Sequence, residues 1–238
     1  MDTAIKKTQV KVLDIFSKAE TDFALSGGTA LELYYLNHRF SADLDLFSPK
    51  YSLQEIDSII SLVKAEFGKR RVKMESEFMA AGGAQVRFYT VSANSLKRPL
   101  KIDFIEDVLF AQPVIKRFNG VRVYSVENIY LQKIAAISGT RPPRADDIGR
   151  EVMQGRREAR DVFDIYMLSR KIKALHIFLK GVSSQLQRGM VHWYRAFSRQ
   201  DIKLALLDLD IYDRKFNSKE MIIYLENEIK QFIARVLE

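Results

Sequence analysis

Most of the chemistry this sequence offers lies in residues 25–48, LSGGTALELYYLNHRFSADLDLFS. Gly27, Gly28 and Thr29 would bring unhindered backbone N–H groups and a hydroxyl to the start of a helix, an arrangement that suits phosphate. No lysine follows the last glycine, so this is not a P-loop, and alone it would serve equally as a turn with Thr29 as a helix cap. Asp43 and Asp45 alternate with Leu44 and Leu46, so a strand here turns both carboxylates to one face and both leucines to the other. Like charges side by side repel unless a cation lies between them. A divalent ion that takes oxygen ligands and phosphate oxygens, Mg²⁺, fits that requirement. Two solvated aspartates at a strand end are the plainer reading, and their position just after Gly-Gly-Thr weighs against it.

Three further segments place charge where apolar residues are expected. Asp103 stands between Ile102 and Phe104 in LKIDFIE, and an acid inside such a strand requires a partner. The partner is either Lys101 at the surface or a metal shared with Asp43 and Asp45. Lys133 falls on the apolar stripe Val126, Ile129, Tyr130, Ile134 and Ile137, where its stem snorkels or its charge is used. Asp161 and Asp164 sit in REARDVFDIYML, a helix apolar nearly all round, with Arg157 and Arg160 at i,i+4 spacing to neutralise them. The histidines His38, His176 and His192 are too scattered for a zinc site, and His38 reads as a capping or surface residue.

The elements that must hold these residues follow from periodicity. Ile5, Val12, Ile15, Phe16 and Ala19 predict a first helix, and TALELYYLNH a second. Ser52 with Glu55 forms a capping box that opens a third through Ile56, Ile59, Ile60 and Val63. From Arg71 to Tyr124 the runs VKMESEF, AQVRFYTV, LKIDFIE and VRVYSV read as strands of one sheet, punctuated by Gly82-Gly83, the 94–99 stretch and Asn119-Gly120. After Ser125, a cap, the period is helical: through Ile137, across a Gly, Pro, Arg and Asp-rich connection from Gly139 to Gly155, then Arg157 to Arg170, and last EMIIYLENEIKQFIARVLE. The chain divides near residue 125 into an α/β half and a helical half.

Composition limits the chemistry. The 238 residues contain no cysteine, which excludes thiolate zinc sites, iron–sulfur clusters, disulfides and cysteine nucleophiles. The start lacks a secretory apolar core and no stretch is long and apolar enough to span a membrane, so a cytoplasmic protein without membrane contact is expected. Lys and Arg number 38 against 30 Asp and Glu, a net charge of +8 that favours polyanions. Basic residues cluster at 69–73, at 96–101 and from Arg141 to Arg160, and Arg87, Phe88 and Tyr89 offer a stacking group.

GGTAL, HRFSADLDLF, KID, YLQKIAA and REARDVFDIYML together resemble the AbiEii/AbiGii nucleotidyltransferase-toxin family of the DNA polymerase β-like superfamily, over residues 20–170. The resemblance implies an α+β fold: a mixed sheet with flanking helices in residues 1–124, and a C-terminal helical bundle in 125–238 that completes the active site. It implies that Gly27, Gly28 and Thr29 contact the triphosphate, that Asp43, Asp45 and Asp103 hold Mg²⁺, and that Lys133 binds phosphate. It makes Asp161 the acid of the last motif, with Asp164 or Asp147 as alternatives, and Asp103 or Asp161 the acceptor of the attacking proton. The implied reaction is NMP transfer from an NTP to an acceptor, with tRNA the leading acceptor, by the toxin of a toxin–antitoxin system whose antitoxin carries a winged-helix domain. The alternatives are a catalytically silent RNA- or protein-binding module on the same fold and a small-molecule nucleotidyltransferase.

Overall fold

Ile5, Val12, Leu13 and Phe16 recur at helical spacing and are buried along one side of α1 (Thr3–Lys18). This computed structural model describes residues 3–80, 83–93, 96, 98–139, 144–145, 151–152, 155–156 and 158–237. The chain forms two units, Met1–Tyr35 with Phe40–Asn128, and Leu36–Arg39 with Ile129–Glu238.

In the first unit β1 (Ala24–Ser26) runs directly into α2 (Gly27–Ala30), which continues as wider π-helical turns over Leu31–Leu36. Then come β2 (Leu44–Ser48), α3 (Leu53–Phe67), β3 (Val72–Met79), β4 (Gln85–Val91), β5 (Leu100–Glu106), β6 (Ile115–Phe118) and β7 (Val121–Tyr124). The seven strands make one mixed sheet in the order β3-β4-β5-β2-β1-β7-β6, with β2 parallel to β5 and β1 parallel to β7. Alternation works as expected in β2 and β5, where Leu44, Leu46, Ile102 and Phe104 are buried. Phe104 anchors the core, edge-on to Phe23 at 5.2 Å and to Tyr89 at 5.9 Å.

Two strands escape the periodicity rules. β1 is three residues long and wholly buried, too short to show a period, while β6 alternates weakly around Lys116 and Arg117. β6 is the hairpin partner of β7 across Asn119 (φ 48°) and Gly120 (φ 85°), and both positive φ values match the twist of a tight hairpin. Ser52 accepts from the Glu55 amide as a cap, but the Glu55 carboxylate does not complete the box. It accepts instead from Thr21 Oγ1 (2.8 Å) and the Asp22 amide (2.7 Å), which ties α3 to the chain ahead of β1.

The boundary helix α4 (Val126–Ser138) is capped by Ser125, whose hydroxyl accepts from the Asn128 amide. The second unit contains a short pair, β8 (Arg144–Ala145) with β9 (Glu151–Val152). After these come α5 (Ala159–Lys171), α6 (Leu175–Phe178), α7 (Ser184–Ala196), α8 (Arg199–Leu206) and α9 (Ser218–Leu237). Helix α5 is buried on most of its surface, as its composition demands. Tyr130 stacks on Phe178 at 4.1 Å, and Phe216 packs edge-on to Phe163. Asp147 and Arg157 lie outside the described residues.

Candidate active site

The register of three neighbouring strands builds the acidic end of the first unit. Asp45 pairs with Asp103 across the parallel β2–β5 ladder and with Ser26 across the antiparallel β1–β2 ladder. Strands lie about 4.8 Å apart, so the two half-buried carboxylates stand side by side on one face. Gly27 follows Ser26 with φ 68°, and a Cβ there would sit 2.2 Å from Asp45 Oδ2. Glycine is required twice over, by the left-handed backbone and by the carboxylate pressed against it. Asp43 immediately precedes β2 and is half-buried.

The segment carrying Asp43 is clamped from three directions. The buried Thr29 hydroxyl donates to the Asp43 carbonyl, and the Gln9 side-chain amide donates to the carbonyls of Ser41 (2.8 Å) and Ala42 (3.0 Å). Glu32, also buried, accepts from the Ser41 amide at 2.8 Å and from Lys6 Nζ at 3.0 Å. Gln9 and Glu32 were missed in the sequence. The signal was there: a glutamine on the apolar stripe of α1 and a glutamate among the apolar residues of LELYYL.

The second unit gathers the remaining charged candidates. Lys133 Nζ lies 2.7 Å from both Asp161 Oδ1 and Asp164 Oδ2. Asp164 also accepts from Arg39 Nε at 2.7 Å and Nη2 at 2.8 Å, and its Oδ1 is 2.8 Å from His38 Nε2. Burial alone would raise the Asp164 pKa, but Arg39, Lys133 and His38 outweigh it and hold the carboxyl well below its ordinary range. Burial likewise opposes ionisation of Lys133 and Asp161. Asp161 and Asp164 nonetheless push the lysine up, and Lys133 and Arg156 bring Asp161 down. Asp161 differs from Asp164 in its second oxygen, which faces the half-exposed Arg156 at 3.4 Å. The segment bearing His38 and Arg39 is built in by its backbone as well, since Arg39 bridges Ile211 and the Tyr212 amide donates to the His38 carbonyl.

A model described as the nucleotidyl transferase AbiEii toxin of a type IV toxin–antitoxin system matches residues 11–236. The chain belongs to the AbiEii nucleotidyl transferase toxin family. No curated protein sequence matches it. Two crystal structures from Helicobacter pylori are similar. One, described as a candidate nucleotidyltransferase, has a TM-score of 0.58 at 16% identity and covers 100% of this chain and 97% of its own. The other, JHP933, has a TM-score of 0.57 at 16% identity, covering 99% and 94%. At such identity the likeness bears on fold, and the fold is the α+β arrangement of mixed sheet, flanking helices and C-terminal helices.

Several expectations for this AbiEii-family chain are corrected. His38 is neither a cap nor a surface residue, because it is buried against Asp164 and stacked on Phe163. Arg160 does not neutralise Asp164; that carboxylate is taken by Arg39 and Lys133, and Arg160 lies 4.0 Å from Glu158. Lys133 does not snorkel but is buried between two acids. Arg87, Phe88 and Tyr89 form no stacking platform: Arg87 pairs with Glu77 and Asp57, Phe88 packs on Phe78, and Tyr89 belongs to the core. No helix among the described residues is long and apolar enough to cross a membrane.

Among the described residues no three acidic or imidazole groups stand close enough to form a complete ion cage. Mg²⁺ does not require one, since it commonly uses one or two carboxylates and draws the rest of its shell from substrate phosphate and water. The hard oxygen donors Asp45 and Asp103, adjacent in register with Asp43 just ahead of β2, fit such an ion.

Proposed function

We propose that this AbiEii-family protein transfers a nucleoside monophosphate from an NTP to an RNA acceptor, with tRNA as the acceptor, in a Mg²⁺-dependent reaction. The observation that carries the reading is the Asp45–Asp103 pair in register beside Gly27, a compact acidic corner against a glycine turn. Asp45 and Asp103 would hold the metal, with Asp43 just ahead of β2 adding negative charge beside them, and the metal when bound would neutralise triphosphate charge and position the α-phosphorus for the attacking hydroxyl. Gly27 and Gly28 offer backbone amides to the triphosphate. Thr29 joins them through its amide, because its hydroxyl proton is committed to the Asp43 carbonyl.

In the reaction the acceptor oxygen bonds to the α-phosphorus, the bond from that phosphorus to the bridging oxygen breaks, and pyrophosphate leaves. Lys133 is the cation assigned to phosphate, and the two acids beside it keep it charged. Asp161 is assigned to the last motif in preference to Asp164, whose two oxygens are taken up by Arg39, His38 and Lys133. Lys133 and Arg156 outweigh burial and make Asp161 a weaker proton acceptor than an ordinary carboxylate, so Asp161 is assigned to orienting the lysine and Asp103 to taking the acceptor's proton. The antitoxin partner is proposed to carry a winged-helix domain.

Incubation with each labelled NTP, Mg²⁺ and total tRNA should transfer label to RNA. An Asp43→Ala, Asp45→Ala variant should transfer none, and label persisting in that variant would refute the assignment.

A further inference from the structure

The basic run at 69–73 is not used by the acidic site, and one of its residues borders a separate cavity of the first unit. An open cavity of about 420 Å³ lies between the N-terminal half of α1, the C-terminal end of α3 and the start of β3. Lys7, Lys11 and Arg71 contribute three cations to its wall, Glu66 contributes one acid, and Phe67 contributes an aromatic ring. Lys11 is shared with Glu66 at 3.3 Å, whereas Lys7 has no acidic partner among the described residues. Lys7 therefore brings a positive charge to the bowl that no acid among the described residues offsets, with Lys69 and Arg70 exposed close by in the chain.

The cavity and the Ser41–Ala42 segment that leads to Asp43 lie on different flanks of the same helix. Lys7 and Lys11 share one face, and Gln9, which grips Ser41 and Ala42, is roughly 200° around the helix from Lys7. A helix with side chains is about 10–12 Å across, a span that a few nucleotides of RNA cover.

We propose that this cavity is a nucleotide subsite for the acceptor strand, remote from transfer: Lys7, Lys11 and Arg71 take backbone phosphate and Phe67 stacks a base. The combination of clustered cations and an aromatic surface is the chemistry of single-stranded RNA binding. The proposal rests on the RNA-acceptor reading above and adds to it where the strand is held. Because the cations are exposed, their removal leaves the core intact.

The probe is a fluorescently labelled oligoribonucleotide of about a dozen nucleotides, titrated by anisotropy over a range of salt. A Lys7→Ala, Lys11→Ala, Arg71→Ala variant should bind about tenfold or more weakly, and its salt slope should fall by about 2, at ~0.7 for each lost phosphate contact. A control removing three other exposed cations, Lys18→Ala, Lys50→Ala, Lys230→Ala, lowers net charge equally and should bind within about twofold of wild type. Phe67→Leu should weaken binding with the salt slope unchanged, which separates a nucleotide from bare phosphate. Equal loss in the two triple variants would overturn the subsite while leaving RNA transfer standing. Absence of RNA binding and of RNA labelling by wild type would overturn the acceptor reading itself.

Discussion

Removing the Asp164 carboxylate should damage the protein far more than removing Asp161, although the two stand one turn apart on α5. In Asp164→Ala, Arg39 loses a two-point ion pair, His38 loses its acceptor and Lys133 loses one of two acids, all in the interior. Removing one side of a buried ion-pair network in this way costs about 3–5 kcal/mol. For a chain of this length each kcal/mol shifts the melting temperature by about 2–4 °C, so a fall of roughly 6–20 °C is expected. In Asp161→Ala, Lys133 keeps Asp164, and Arg156 is 57% exposed and can turn to water. The loss is then about 1.5–3 kcal/mol, one charged hydrogen bond. Thermal melts and guanidinium titrations of the two variants give the ranking, and label transfer measured at a temperature where both are folded gives the function. Asp161→Ala should be folded and inactive. Asp164→Asn, which keeps one acceptor oxygen, should recover part of the lost stability. A melting temperature for Asp164→Ala within about 2 °C of wild type, or below which Asp161→Ala falls, would refute the division of roles.

Gly27→Ala should lower stability by about 1–2 kcal/mol through its left-handed backbone and, by displacing the Asp45 carboxylate, cut transfer about a hundredfold. Gly68→Ala meets no atom within 4 Å but sits at φ 95° and ψ 137°, a backbone region nearly closed to other residues, so melts should show at least as large a loss while label transfer is retained. The charged cluster also sets a pH window. Asp161 and Asp164 have folded pKa values below the ordinary 3.8, so their contribution is present above that value and is lost as pH falls through the folded ones. Lys133 is raised above 10.5, so its contribution is present below 10.5 and is lost as pH rises through the folded value. Guanidinium midpoints should therefore show no dependence on Asp161, Asp164 and Lys133 between about pH 5 and 9, and the acid limb should shrink in Asp164→Asn.

The parts of the site legible in the sequence were those governed by local rules. Asp45 and Asp103 stand out because each interrupts an alternating apolar strand, and Asp161 and Asp164 because a helix apolar on most sides leaves no solvent for them. What could not be read is what depends on distant pairing. Arg39 meets Asp164 across 125 positions of chain, and Gln9 meets Ser41 across 32, and neither spacing has a period. Local statistics instead favoured Arg160 for Asp164, because i,i+4 is the partner that a sequence can display. β1 was missed for a related reason: it takes its identity from β2 and β7 on either side, not from a pattern within its three residues.

The placement of the acidic pair depends on the core beneath it. Leu44 and Leu46 on β2, and Ile102 and Phe104 on β5, are each at most 1% exposed, and they alternate with the two aspartates. A slip of either strand by one residue would bring its aspartate into the core and its apolar partners to the outer face. At about 1.5–3 kcal/mol for each buried side chain, the two residues of one strand oppose such a slip by about 3–6 kcal/mol, before the cost of burying a carboxylate is added. Gly27 leaves open the room that the Asp45 carboxylate occupies, which any Cβ at that position would contest. Two like charges are therefore held side by side by apolar packing rather than by mutual attraction.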